Sequence, residues 1–179
     1  MPTLVHEYAW PDRIVVGTVG RPGDRTFYLQ VRTGSQITSI ALEKTQSAIL
    51  AEKIDEILDE LARVGGSTLT IPTTTPLELI DNEPLEQPVD EQFRAGTMSL
   101  GWDPATAQLV VEAYSLEVQD EEAETVEASE MLVVRMPVGT ARAFAKRTRE
   151  IVGAGRPLCP RCGDPMDPDG HDCILAEEP

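Results

Sequence analysis

The chain has 179 residues, a formal net charge of −16, and 41% hydrophobic but only 4% aromatic residues. That length allows one ordinary domain, or one domain with a small appendage, and the core must be built from Val, Ile, Leu and Ala. No run reaches the roughly 18–20 apolar residues of a membrane span, Met1–Trp10 lacks the basic-then-apolar order of a secretory signal, and the acidic excess repels nucleic acid and anionic membrane, so the expectation is a cytoplasmic protein away from membranes.

In chain order, Arg13–Thr18 (RIVVGT) is β-branched and apolar and reads as a strand. Val19–Asp24 is a Gly- and Pro-rich turn and Arg25–Arg32 the returning strand of a hairpin. Thr33-Gly34 makes a second tight turn before a strand at Gln36–Leu42, and Thr3–Tyr8 adds an edge strand. Leu50, Ile54, Ile57, Leu58 and Leu61 then recur at helical period, with acids on the other sides, and Gly65-Gly66 ends the helix. Pro72, Pro76, Pro84 and Pro88 keep regular structure out of the following stretch, which reads as a long, partly mobile surface connection.

A second block follows. Gln92–Leu100 reads as a strand, Gly101–Ala105 as a turn, Gln108–Val118 as a strand, 119–130 as an acidic disordered loop, and Glu130–Pro137 as a strand. A helix runs from about Thr140 to Val152 with Ala141, Phe144, Ala145, Ile151 and Val152 on one face. The two blocks resemble each other. Val16-Gly17-Thr18-Val19 matches Ala95-Gly96-Thr97-Met98, and Leu50, Ala51, Ile54, Ile57 and Leu58 match Phe144, Ala145, Thr148, Ile151 and Val152 at one constant offset. The expected fold is α+β: two strand-strand-strand-helix units, 1–66 and 92–153, sharing antiparallel sheet and one core, joined by a Pro/acidic linker at 67–91 and followed by a zinc-ribbon-like tail at 154–179.

The tail carries all three cysteines. Cys159 and Cys162 form a C-x2-C pair, and His171 and Cys173 follow in H-x-C spacing. Zinc takes four tetrahedral ligands, and a Cys3His set closes the coordination sphere, as structural zinc requires. Gly163 permits the close backbone approach of such a turn. A redox C-x2-C normally opens a helix, whereas prolines surround this one.

No catalytic set stands out. His6 is the one histidine outside the tail, no serine sits in a G-x-S-x-G elbow, and Gly17, Gly20 and Gly23 lack the Lys-Ser/Thr of a phosphate loop. Trp102 reads as a partly buried residue pinning its turn. Against the acidic background, Arg142, Lys146 and Arg149 fall at i, i+4 and i+7 on the outer face of the second helix, with Arg156 and Arg161 beyond it. The bland reading is a solvated face; the sharper one is a docking face for another protein. Nucleic acid is the alternative partner, though no aromatics interleave to stack on bases. An enzyme of unrecognised type, with its site between the two units, is the third reading.

The run Gly17–Gln30 (GTVGRPGDRTFYLQ), Ala41–Lys44 (ALEK), Phe93–Met98 (FRAGTM) with Gly101-Trp102, and the ending Ala154–Cys162 (AGRPLCPRC) with Pro168–Cys173 (PDGHDC) resemble an actinobacterial family of conserved proteins of unknown function, about 180–200 residues long. The resemblance spans nearly the whole chain. It implies a bacterial cytoplasmic protein and a metal site at Cys159, Cys162, His171 and Cys173, and it supplies no activity or catalytic residue.

Overall fold

The computed structural model describes residues 4–21, 23–64, 71–72, 74–117, 128–154 and 159–162. The elements are β1 (Leu4–Ala9), β2 (Arg13–Arg21), β3 (Asp24–Thr33), β4 (Gln36–Leu42), α1 (Lys44–Val64), β5 (Glu91–Asp103), β6 (Gln108–Ser115), β7 (Glu130–Pro137) and α2 (Val138–Gly153). After β1, three strands and a helix therefore follow one another twice. Among the described residues no helix is long and apolar enough to cross a membrane.

All seven strands lie in one sheet of order β1-β7-β6-β5-β4-β3-β2. The sheet is mixed, which corrects the antiparallel expectation: β1 pairs with β7 and β4 with β5 in parallel, and the other neighbours are antiparallel. Parallel neighbours need a long crossover, and here α1 with its connection, and most of the chain between β1 and β7, provide it. β1 and β2 are opposite edges of the sheet yet only Trp10–Asp12 separate them. Four Cα steps span at most about 14 Å, whereas the edges of a flat seven-stranded sheet stand about 29 Å apart. The sheet is therefore rolled so that the end of β1 comes within the shorter of these distances from the start of β2. The Trp10 N–H donates to the Arg135 carbonyl and that of Asp12 to the Arg32 carbonyl, so the step belongs to both ladders.

Alternation sends one face of every strand into a single core. Ile14 and Val16, Leu29 and Val31, Ile40 and Leu42, Leu109 and Val111, and Leu132 and Val134 meet Leu50, Ile54 and Leu58 of α1 and Ala141, Phe144 and Ala145 of α2. The expectation of one shared core thus holds for the described residues. Tyr8 crosses it, its hydroxyl 2.7 Å from Thr38 Oγ1.

Local contacts fix the ends of the elements. Gln46 Oε1 accepts from the Glu43 N–H at 2.7 Å, which caps the start of α1. Arg25 stacks over Phe27 and donates to the Ile151 carbonyl in the last turn of α2. Glu117 accepts from Ser129 and Ser115, joining the end of β6 to the approach to β7; these bonds hold its carboxyl from an ordinary 4.5 down to about 2.

Two segments differ from the sequence reading. β5 runs on to Asp103, so Trp102 lies in a strand, half-buried against the core, rather than in a turn. The Pro-rich connection is a clamped strap. It makes one 3₁₀ turn at Leu77–Leu79. Beyond it, Arg13 grips the Asp81 carboxylate through two nitrogens at 2.7 and 3.1 Å and donates to the carbonyls of Glu83 and Pro84. Gln30 exchanges two hydrogen bonds with the Glu86 backbone. The prolines that exclude helix and strand leave backbone carbonyls unpaired, and arginine and glutamine side chains answer them. Gly65-Gly66 and nearly all of the acidic loop lie outside the described residues.

Candidate functional site

Cys159 and Cys162 sit within and beside a turn at 160–162; Cys159 is 7% exposed and Cys162 half-buried. The other two expected ligands, His171 and Cys173, lie outside the described residues, as do Gly163 and Arg156. Arg161 is exposed beside the pair. Two thiols three residues apart, one of them held against the protein, fit one half of a tetrahedral thiolate site.

The basic stripe of α2 is not one open face. Arg142 is 6% exposed, and its guanidinium lies 2.8 Å from Asp55 and 2.6 Å from Asp59 of α1 and donates to the Pro72 carbonyl. This corrects the outer-face placement. The helix periodicity is right, but α1 packs alongside and its acids take up the charge. Burial opposes ionisation of Arg142, and the hydrogen bonds it donates to Asp59 and Asp55 outweigh it and raise its pKa. Arg149 reaches Asp55 at 2.8 Å, and Lys146 pairs with Glu150. His6 sits 3.4 Å from Glu130.

Sequence reasoning missed Arg147, which is buried on the inner side of α2. Its Nε donates to the Val16 carbonyl at 3.0 Å, and its Nη1 donates to the Asp81 carbonyl and carboxylate at 2.7 and 3.2 Å. One side chain thus occupies the edge of β2 and fastens the strap. Burial holds its pKa below the ordinary guanidinium value, the Asp81 charge working the other way. No periodicity could single out this arginine, because it stands on the apolar side of the helix among Phe144 and Thr148.

The other edge is different. Among the described residues β1 has one strand neighbour, β7. Leu4 and Val5 are exposed, and Trp10, which ends the strand, is 58% exposed with φ of 52°. A bulky residue in left-handed backbone is strained by roughly 1–2 kcal/mol. Strain of this kind gathers where a protein meets a ligand.

Two grooves lie where a helix crosses a strand. One, between α2 and β2, is divided by the strap into two open pockets of about 190 and 290 Å³: Leu79 and Asp81 face Arg13 and Arg147 in the first, and Leu85 faces Gly17 and Arg147 in the second. The other, of about 360 Å³, lies between α1 and β5 and is lined by Gln46, Ile49, Leu50, Lys53, Ile57, Gly96, Met98 and Leu100. Gln46 donates to the carbonyls of Ala95 and Gly96, filling the bulge where the β5–β6 register shifts.

A rolled mixed sheet with two helices on its inner face, engaged by Arg147 at its β2 edge and with no further strand beyond β1 among the described residues, defines a small α+β protein. The chain belongs to the family described as protein of unknown function (DUF3090), whose model matches residues 6–173. Neither the curated proteins nor the solved structures yield a match to it.

Proposed function

We propose that this protein is a non-enzymatic binding module of the cytoplasm, which takes an extended, basic segment of another protein as an added strand along β1. The observation that carries this reading is the contrast between the two sheet edges. The carbonyl of Val16 on β2 is occupied by Arg147, whereas β1 ends its sheet and presents Leu4, Val5 and Trp10. Strand addition draws affinity from main-chain hydrogen bonds and specificity from side-chain anchors, and an exposed tryptophan is the commonest kind of anchor. A net charge of −16 selects a basic partner. The test screens an array of extended basic peptides against the purified protein. Binding should fall about 30-fold in Trp10→Ala, the equivalent of about 2 kcal/mol, with amide shifts confined to residues 4–10. Equal binding by the variant, or shifts centred on α2, would remove the reading.

The same proposal gives the tail one structural zinc, held by Cys159, Cys162, His171 and Cys173. The buried thiol of Cys159 supports it, and an odd count of three cysteines, clustered beside His171, argues against a disulfide framework. Native mass spectrometry should find one zinc per chain, lost with a chelator and in Cys173→Ser. A metal-free chain with a reducible Cys159–Cys162 pair would put redox chemistry in its place.

A further inference from the structure

Arg13 and Arg147 share Asp81, and their side chains are only 10% and 9% exposed. Asp81 is saturated: its carboxylate accepts from both arginines and from the Glu83 N–H. The arginines are not. Among the described residues, Nη2 of Arg147 makes no hydrogen bond, and Nη1 of Arg13 has only Glu86 Oε1 at 4.0 Å, beyond hydrogen-bond reach. Burial already works against the charge of Arg147. An oxygen acceptor brought to these free N–H groups would stabilise both guanidinium groups.

Both arginines line the smaller of the two pockets beside the strap, of about 190 Å³. Its apolar walls include Leu79 of the strap and Ala143 and Phe144 of α2, and Thr140 marks its other end. Thr140 stands seven residues before Arg147, about 10 Å along the helix. A cavity of about 150 Å³ holds benzene, so this pocket has room for a ring or a short hydrocarbon chain carrying one polar head. Charge selects the head. The charged residues of the pocket, with those they pair with, are Arg13, Arg32 and Arg147 against Asp12, Asp81 and Glu86, a balanced set. The free N–H groups can carry one added negative charge, whereas a dianion would set a second beside three carboxylates. The planar fork of a guanidinium matches a carboxylate. The net charge of −16 repels polyanions at long range and a small monoanion far less.

We propose that the pocket between α2, the start of β2 and the strap binds a small monocarboxylate with an apolar body. Its carboxylate rests on the free nitrogens of Arg13 and Arg147, and its body lies between Leu79 and Phe144. The site is independent of the β1 edge. A bound ligand touches the strap, β2 and α2 together.

The test titrates phenylacetate into the full chain and follows backbone amide and arginine Nε–H resonances by NMR. Saturable shifts should appear at Thr140, Phe144 and Arg147, with a dissociation constant in the millimolar range or below, as suits a ligand of this size. Phenylacetamide, of the same shape without the charge, should give none. Arg147→Lys keeps the charge and loses the fork, and should weaken binding about tenfold. Because Arg147 also fastens the strap, Ala143→Leu supplies a second reading. It fills the pocket from a half-buried wall, leaves both arginines in place and suits a helix, so it should abolish binding while the melting temperature holds. An acetylated dipeptide ending in phenylalanine, as free acid and as amide, separates the sources: binding of its acid alone extends the site to chain termini, and no binding of either confines it to free carboxylic acids. Equal shifts from phenylacetamide, shifts centred elsewhere, undiminished binding in Ala143→Leu, or no binding of phenylacetate would each overturn the proposal.

Discussion

Gly17 and Leu85 form a contact whose energy is worked from geometry. A Cβ added at Gly17 would stand 2.5 Å from Leu85 Cγ and 2.7 Å from Cδ2, closer than carbon atoms approach. In Gly17→Ala, Leu85 must either strain or leave. Strained packing costs about 1–3 kcal/mol, and exposing a leucine that is now 5% exposed forfeits about 1.5–3 kcal/mol. Alanine recovers about 0.5–1 kcal/mol over glycine within a strand. The net destabilisation is therefore about 1–2 kcal/mol, which in a chain of this size lowers Tm by about 2–8 °C. Leu85→Ala alone should cost about 2 kcal/mol, the low end for a buried leucine because the strap lies on the surface. In the Leu85→Ala background the clash is gone, and Gly17→Ala should be neutral or slightly stabilising. Urea unfolding of the four proteins of the cycle gives the coupling directly. Gly101→Ala, which meets nothing within 4 Å, serves as control. Equal penalties for Gly17→Ala in both backgrounds would refute the strap contact.

Arg142→Met removes the counter-charge of Asp55, whose side chain is 14% exposed, and should cost about 3 kcal/mol, the low end for breaking a buried pair because Arg149 still reaches Asp55. Asp59 is largely exposed, so Asp59→Asn should cost no more than about 1 kcal/mol; urea melts in which the two variants cost the same would contradict the placement of Arg142. Asp81 carries a pH dependence. The hydrogen bond from Arg13 holds its carboxyl below the ordinary range, against the opposing effect of burial. A depressed folded pKa gives stability that is fully present above the unfolded value of about 4 and is lost as pH falls through the folded value. Wild type should therefore exceed Asp81→Asn in melting temperature at pH 6, with the gap closing below about pH 4; a gap unchanged down to pH 2 would show that Asp81 does not fasten the strap as a carboxylate.

Most of the secondary structure was legible because this chain keeps its local signals consistent. The β-branched run at Arg13–Thr18, the glycines of the hairpin and the apolar stripes of both helices each name one conformation, and β7 falls at Glu130–Pro137 as expected. Gly20 and Gly34 take up the positive φ that their turns require. Pairing was less legible. Nothing in LVHEYA says that β1 lies parallel to β7, more than a hundred residues away, because strand alternation specifies a face and not a neighbour. The irregular course of the strap was legible in its prolines, and its fastenings were not, for a similar reason. Prolines report what a backbone cannot form, and the groups that clamp it, Arg13, Gln30 and Arg147, sit in other elements.

The basic residues of α2 show where a one-helix argument stops. Spacing of i, i+4 and i+7 establishes that Arg142, Lys146 and Arg149 share a side of the helix, and solvent on that side is a separate assumption. The partner was written in the sequence all the same. α1 carries Asp55 and Asp59 along one flank of its core stripe, and two amphipathic helices that seal one core must lie side by side. A cation at the junction is then worth more facing those acids than facing water, since Arg142 and Asp55 are both largely desolvated there. In a chain with twice as many acidic as basic residues, the scarce cations go first to internal seams: Arg142 and Arg149 to the helix pair, Arg13 and Arg147 to the strap. The charge in excess is acidic, and it is this that turns the search for a partner away from anions and toward a basic segment laid along β1.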